Sequence, residues 1–128
     1  MAAQTKPRIL CVDDEPLVRA STAEMLLDLG CSVVQAESAA EALEILDRED
    51  IDLIVTDHLM PGMTGTDLAE TTQERGLHIP VLIISGYANL DGLPSKYDRL
   101  TKPFRRSDLA AALQRLVRRA STVDGTAT

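Results

Sequence analysis

The chain alternates between short apolar runs and longer segments in which apolar residues have helical spacing. Five runs have the length and composition of buried strands, at residues 8–12, 31–36, 52–56, 80–84 and 99–102. Between them, apolar residues recur every three or four positions, as on a helix with one buried face. The first helical stripe begins after Glu15-Pro16, where proline is tolerated in a first turn, and ends at Gly30.

This strand–helix alternation predicts a parallel sheet with helices on both faces. Five units are too few for a closed eight-stranded barrel, so we expect an open α/β sheet. The pattern is weakest between the fourth and fifth strands, where Gly92 and Pro94 interrupt any long helix and favour a short or irregular one. We expect one domain at 8–119, between an N-terminal extension at 1–7 and a flexible C-terminal tail at 120–128.

Composition and charge exclude several classes of protein. Apolar residues make up 45% of the 128, yet there are no Trp, one Phe and two Tyr, which predicts an aliphatic core. The formal net charge of −7 argues against direct binding to nucleic acid or to anionic membranes. Cys11 and Cys31 lack the close spacing of a zinc site and are expected to be buried free thiols. No signal-peptide core or membrane-spanning run is present, so we expect a cytoplasmic location.

Polar side chains follow four of the predicted strands at the point where each strand ends. Asp13 and Asp14 follow the first strand, Asp57 the third, Ser85 the fourth and Lys102 the fifth. Ligands of open parallel sheets bind at this carboxyl edge, so we expect the five residues to gather there. Three crowded carboxylates repel one another and favour a hard divalent cation such as Mg²⁺, or Mn²⁺. Together with a lysine and a hydroxyl, they indicate phosphoryl transfer with Asp57 as the nucleophile.

The segments ILCVDDEP, DLIVTDHLMPGMTG, IISG and TKPF resemble the receiver domain of response regulators, the CheY-like superfamily of two-component systems. The resemblance covers residues 8 to about 119. It implies a flavodoxin-like fold with strand order 2-1-3-4-5. It also implies that Asp57 is the phosphoacceptor, that Ser85 is the switch hydroxyl and that Lys102 is the charged partner.

The same resemblance implies a magnesium site and a particular peptide geometry. Asp14 and Asp57 would bind Mg²⁺ through their carboxylates, Asp13 mainly through a water, and Leu59 through its backbone carbonyl. The Lys102-Pro103 bond is expected to be cis, as X-Pro bonds can be.

Three positions depart from the pattern of the family. Arg99 stands three residues before Lys102, where the family usually has Tyr or Phe, so the aromatic residue of the usual switch is replaced. Only sixteen residues separate Ser85 from Lys102, which shortens the segment that normally belongs to the output face. His58 follows the acceptor, where an apolar residue is more common.

The resemblance implies a signalling module rather than an enzyme, with only self-phosphorylation and self-dephosphorylation chemistry. Its partners would be a histidine kinase or histidine phosphotransfer protein and an unknown downstream protein, with no nucleic acid and no membrane. A weak homodimer through the face of the last two predicted helices is a further expectation. The chain would act either as a single-domain regulator without an output domain or as a receiver excised from a hybrid kinase.

Three alternative functions are weighed against the receiver. One is a degenerate receiver that binds partners without phosphorylation. Another is a phosphatase of the haloacid-dehalogenase type, which needs a second aspartate where this chain has Leu59. The third is a flavodoxin, which needs a Ser/Thr/Gly-rich phosphate loop where this chain has Asp13-Asp14-Glu15.

Overall fold

The computed structural model describes residues 6–86 and 97–126, with the side chains of the last helix described as far as Val117. Its elements, in chain order, are β1 (Arg8–Val12), α1 (Pro16–Asp28), β2 (Ser32–Ala36), α2 (Ala39–Arg48), β3 (Leu53–Asp57), α3 (Gly65–Glu74), β4 (Val81–Ser85), β5 (Asp98–Thr101) and α4 (Arg106–Thr126). The five strands therefore fall where the apolar runs predict them, within a few residues.

The strands form one parallel sheet in the order β2-β1-β3-β4-β5. This confirms the open α/β fold and the strand order that the sequence predicts. The chain leaves β1 toward β2 on one side and reaches β3 on the other, so the strand order reverses between β1 and β3. In an open α/β sheet, a ligand crevice opens at the carboxyl ends of the strands beside such a reversal.

The core is divided by the sheet into two apolar layers, and the alternation of side chains along β1 shows the division. Leu10 and Val12 pack in the layer that contains buried residues of α2 and α3. Ile9 and Cys11 pack in the layer that contains buried residues of α1 and α4. Helices therefore cover both faces. Both layers are built almost wholly from aliphatic side chains, as the composition predicts.

Local sequence features define the ends of the first two helices. Pro16 occupies the first turn of α1, and Gly30 follows that helix with a positive φ of 92°. Ser38 caps α2, because its side chain accepts a hydrogen bond from the backbone N–H of Glu41. Cys11 and Cys31 are buried free thiols, as expected.

The last helix, α4, extends beyond residue 119. Its backbone is helical to Thr126, and the flexibility that the sequence predicts for residues 120–128 stays a prediction. The segment contains no proline, and extending an established helix by another turn costs much less than starting one. The short or irregular helix predicted between β4 and β5 lies mostly in residues 87–96, outside the described residues. Across the described ranges, no helix combines the length and apolar character needed to cross a membrane.

Candidate functional site

The carboxyl edge of the sheet brings three aspartates together. Asp13 and Asp14 follow β1, and Asp57 ends the neighbouring strand β3. One carboxylate oxygen from each lies within 4.8 Å of the other two. The Asp13 residue is 5% exposed and the Asp57 side chain 11% exposed, so these two carboxylates are largely shielded from bulk water, whereas Asp14 is more exposed. The predicted acidic cluster is therefore present in the structure.

Lys102 pairs directly with the central aspartate of the cluster. Its Nζ lies 2.9 Å from Oδ1 of Asp57. The backbone N–H of Lys102 donates to the carbonyl oxygen of Ser85 at 2.9 Å, which ties the residue after β5 to the end of β4. Lys102-Pro103 is a cis peptide bond, as the resemblance implies.

Ser85 is 1% exposed, and its hydroxyl has no hydrogen-bond partner among the described residues. A buried hydroxyl is normally paired, because leaving it unpaired costs about 1–3 kcal/mol. In the sheet register Ser85 pairs with Thr101, the residue immediately before Lys102. The hydroxyl is therefore a polar group available to a ligand at the carboxyl edge.

The pKa values of Asp13 and Lys102 are both shifted by the charges and the burial of the cluster. Burial raises the pKa of Asp13, and the charges of Asp57 and Asp14 raise it further. The hydrogen bond from the Glu15 N–H and the charge of Lys102 lower this pKa, but the net shift is upward. Burial works against the charged form of Lys102, yet its hydrogen bond and ion pair with Asp57 outweigh that effect and raise its pKa. Negative charge is thus in excess at this edge.

A divalent cation fits this set of groups. Oxygen ligands in a compact acidic cluster are what Mg²⁺ and Mn²⁺ prefer. The like-charge repulsion that raises the pKa of Asp13 is the repulsion that such an ion would relieve. Leu59, the fourth predicted ligand, lies two residues beyond Asp57, with its side chain 54% exposed.

The loop after β3 is held against the acceptor strand by the start of α3. The N–H of Gly65 donates to the carbonyl oxygen of His58 at 2.8 Å. A Cβ at position 65 would lie 2.5 Å from the backbone oxygen of Asp57, so only glycine fits without movement. Thr64 and Asp67 then cap α3 with a reciprocal pair of hydrogen bonds, each 3.1 Å long.

Two site features are missed by the sequence analysis. From the sequence, Gly65 is interpreted only as part of a Pro- and Gly-rich loop. A glycine in the first turn of a helix can nevertheless indicate that another backbone segment approaches closely. Arg19 gives no signal, because it reaches back from the second turn of α1 to donate through Nη1 to the carbonyl oxygen of Asp13 at 2.8 Å.

The two unusual positions of the sequence lie directly after β3 and within β5. Nδ1 of His58, which is half-buried, lies 3.4 Å from Oγ1 of Thr66. Arg99 is exposed on β5, the strand at the edge of the sheet.

The fold and the site together define a class: a flavodoxin-like α/β protein with three aspartates and a paired lysine at the carboxyl edge. Residues 9–114 match the family model of the response regulator receiver domain. The chain belongs to this family, and is a receiver domain of two-component signal transduction.

Curated relatives support this assignment. The chain is 33% identical to the response regulator MprA of Mycolicibacterium vanbaalenii, over 92% of this chain and 53% of that protein. It is 34% identical to the two-component response regulator ORR6 of Oryza sativa subsp. japonica, over 89% of this chain and 73% of that protein. The chain thus spans about half the length of MprA.

Solved structures agree with the fold. A response regulator receiver domain protein from Clostridium thermocellum is 27% identical with a TM-score of 0.84, and the match covers 91% of this chain and 98% of that one. A response regulator receiver protein from Sinorhizobium medicae is 31% identical with a TM-score of 0.78, covering 88% and 95% of the two chains.

Proposed function

We propose that Asp57 accepts a phosphoryl group from a phosphorylated histidine of a histidine kinase or a histidine phosphotransfer protein. The observation that carries this proposal is the pairing of Asp57 with Lys102 at 2.9 Å, beside Asp13 and Asp14 at the carboxyl edge. The Lys102 ammonium lies against this carboxylate, and an aspartate carboxylate can act as the nucleophile in phosphoryl transfer.

In the proposed step, a carboxylate oxygen of Asp57 attacks the phosphorus of the phosphohistidine. A P–O bond forms, the P–N bond breaks, and the electron pair stays on the imidazole, which takes up a proton. The Lys102 ammonium stabilises negative charge on the phosphoryl oxygens. The Ser85 hydroxyl, buried and without a partner among the described residues, donates a hydrogen bond to one of them.

A divalent cation belongs to this proposal, since charge at the site is otherwise unbalanced. Asp14 and Asp57 would hold it through carboxylates, Asp13 through a water and Leu59 through its carbonyl. When bound, the ion would neutralise charge on the incoming phosphoryl group.

The phosphorylated domain would then act through contacts with other proteins. The partners are the phosphohistidine donor and a downstream protein, and a weak homodimer would form through the face of the last two predicted helices. Arg99 stands in place of the usual aromatic residue, so the relay from Asp57 to that face differs from the family pattern.

The test is phosphorylation by a small donor. The protein is incubated with acetyl phosphate and Mg²⁺, and its intact mass is measured with and without a chelator. One phosphoryl adduct is expected in the wild type and in Asp50→Asn, which changes an exposed aspartate before β3, at the opposite end of that strand. Asp57→Asn should give none.

The outcome that contradicts the proposal is equally definite. A folded wild-type protein that gains no adduct from acetyl phosphate or phosphoramidate would be a degenerate receiver, which binds partners without phosphorylation. An adduct that persists in Asp57→Asn would assign the acceptor to another residue.

A further inference from the structure

Arg19 connects three elements beside the acidic cluster. It lies on the second turn of α1 and is half-buried. Its Nη1 donates to the carbonyl oxygen of Asp13 at 2.8 Å, and its Nε donates to Oε1 of Gln35 on β2 at 3.2 Å. The guanidinium therefore spans from the turn after β1 to the neighbouring strand.

The carbonyl that Arg19 holds belongs to the peptide between Asp13 and Asp14. The N–H of Asp13 donates to the carbonyl oxygen of Ala36 at 3.1 Å, so this residue is held by β2 on one side and by α1 on the other. The Asp13 carboxylate accepts from the N–H of Glu15 at 3.0 Å. Because this peptide joins Asp13 to Asp14, its orientation affects where both carboxylates lie relative to Asp57.

Repulsion within the cluster acts against this arrangement. Asp13, Asp14 and Asp57 hold like charges within 4.8 Å, and without a cation the two adjacent aspartates gain by rotating apart. A guanidinium presents donors in a rigid planar fork, which fixes direction better than a single ammonium does. Arg19 can therefore keep the turn in place before a cation arrives.

We propose that Arg19 is a positioning residue for the cation site: it fixes the Asp13–Asp14 peptide so that both carboxylates face Asp57. This inference rests on the proposed function, because it concerns the divalent cation that phosphoryl transfer would use. Arg19 acts through the backbone of Asp13 and makes no contact with the ion itself.

The proposal and a simple charge effect predict opposite changes in cation affinity when Arg19 is removed. A positive side chain near a cation site opposes cation binding, so removing it for its charge alone would tighten binding. If Arg19 positions the aspartates, its removal weakens binding. Losing a group that orients a metal ligand typically costs on the order of tenfold in affinity.

Arg75 provides a matched control within the same chain. Its Nη1 also reaches a backbone carbonyl, that of Leu43 at 3.4 Å, and an oxygen of Asp47 at 2.7 Å. These contacts join the end of α3 to α2 and do not touch the acidic cluster. Arg75→Ala therefore removes comparable contacts without touching the predicted ligands.

The experiment measures Mn²⁺ binding from the electron paramagnetic resonance signal of free Mn²⁺, with Mg²⁺ as competitor, and urea unfolding without metal. Arg19→Ala should bind roughly tenfold more weakly than the wild type, and Arg19→Lys, which keeps the charge and one donor, should recover part of the loss. Gln35→Ala should weaken binding by a smaller factor. Arg75→Ala should bind as the wild type does, whatever its effect on unfolding.

Two results would overturn the inference. One is that Arg19→Ala binds Mn²⁺ as tightly as the wild type or more tightly. The other is that Arg75→Ala loses as much Mn²⁺ affinity as Arg19→Ala does. Should Arg19→Ala fail to fold, Arg19→Lys and Gln35→Ala serve instead, because each leaves one of the two contacts. Failure of the proposed function is distinguishable, since then the wild type itself would bind no Mn²⁺ and gain no phosphoryl adduct.

Discussion

Replacing Gly65 with alanine places one methyl group against the backbone of the proposed acceptor. The new Cβ would lie 2.5 Å from the carbonyl oxygen of Asp57, 3.1 Å from Cα of His58 and 3.2 Å from Cγ2 of Thr56. Non-bonded heavy atoms pack favourably at about 3.5–4.0 Å, so the shortest contact requires a shift of roughly 1 Å. Two of the three neighbours are backbone atoms, which cannot turn aside as a flexible side chain can.

The cost of that shift follows from the groups that must move. Overpacking a closely packed site costs about 1–3 kcal/mol. Moving the first turn of α3 also strains the hydrogen bond from Gly65 to His58, whose net value is about 1 kcal/mol. Alanine favours the helical conformation over glycine by about 1 kcal/mol, which offsets part of the loss. We expect Gly65→Ala to lower the free energy of unfolding by about 1–3 kcal/mol.

The assay combines urea unfolding with the initial rate of phosphorylation by acetyl phosphate. Gly76→Ala is the control: Gly76 has a φ of 80°, and a Cβ there meets no atom within 4 Å. A left-handed conformation costs alanine about 1–2 kcal/mol, so both variants should be destabilised. Only Gly65→Ala should also slow phosphorylation, because only its clash displaces Asp57. A Gly65→Ala protein with wild-type stability and wild-type rate would refute the reasoning.

Three further predictions follow from the cluster, the caps and the thiols. Because the pKa of Asp13 is raised, its carboxyl contributes stability below the ordinary aspartate pKa of about 3.9 and loses it as the pH rises through the raised value. Asp13→Asn should therefore stabilise the metal-free protein against urea at pH 7, and the gain should disappear below about pH 4. Thr64→Ala and Ser38→Ala each remove a helix cap and should each cost about 1 kcal/mol in urea unfolding, but only the former should slow phosphorylation. Burial raises the pKa of Cys11 to about 12 and raises that of Cys31, so neither should react with Ellman's reagent at pH 8 until urea unfolds the protein.

The sequence predicts those parts of the site that depend on chain position. Asp57 and Ser85 end buried parallel strands, and Lys102 follows the last strand, so strand alternation alone gathers them at one edge. The roles of Arg19 and Gly65 depend instead on tertiary contacts. The contact from Arg19 to Asp13 depends on how α1 folds back over the turn, and the need for glycine at 65 depends on a distance to Asp57. Neither follows from an apolar pattern.

Charge balance links the stability of this edge to its proposed chemistry. Lys102 pairs with Asp57 and offsets part of the charge of Asp13, while Arg19 contacts the backbone of Asp13 rather than its carboxylate. The three carboxylates outnumber the positive groups beside them, and a divalent cation offsets the remaining negative charge more strongly than a monovalent ion does. A cation that binds only the folded protein stabilises it by about 2.7 kcal/mol at a hundredfold excess over its Kd. The repulsion that destabilises the metal-free fold would therefore favour binding of the cation that the proposed phosphoryl acceptor uses.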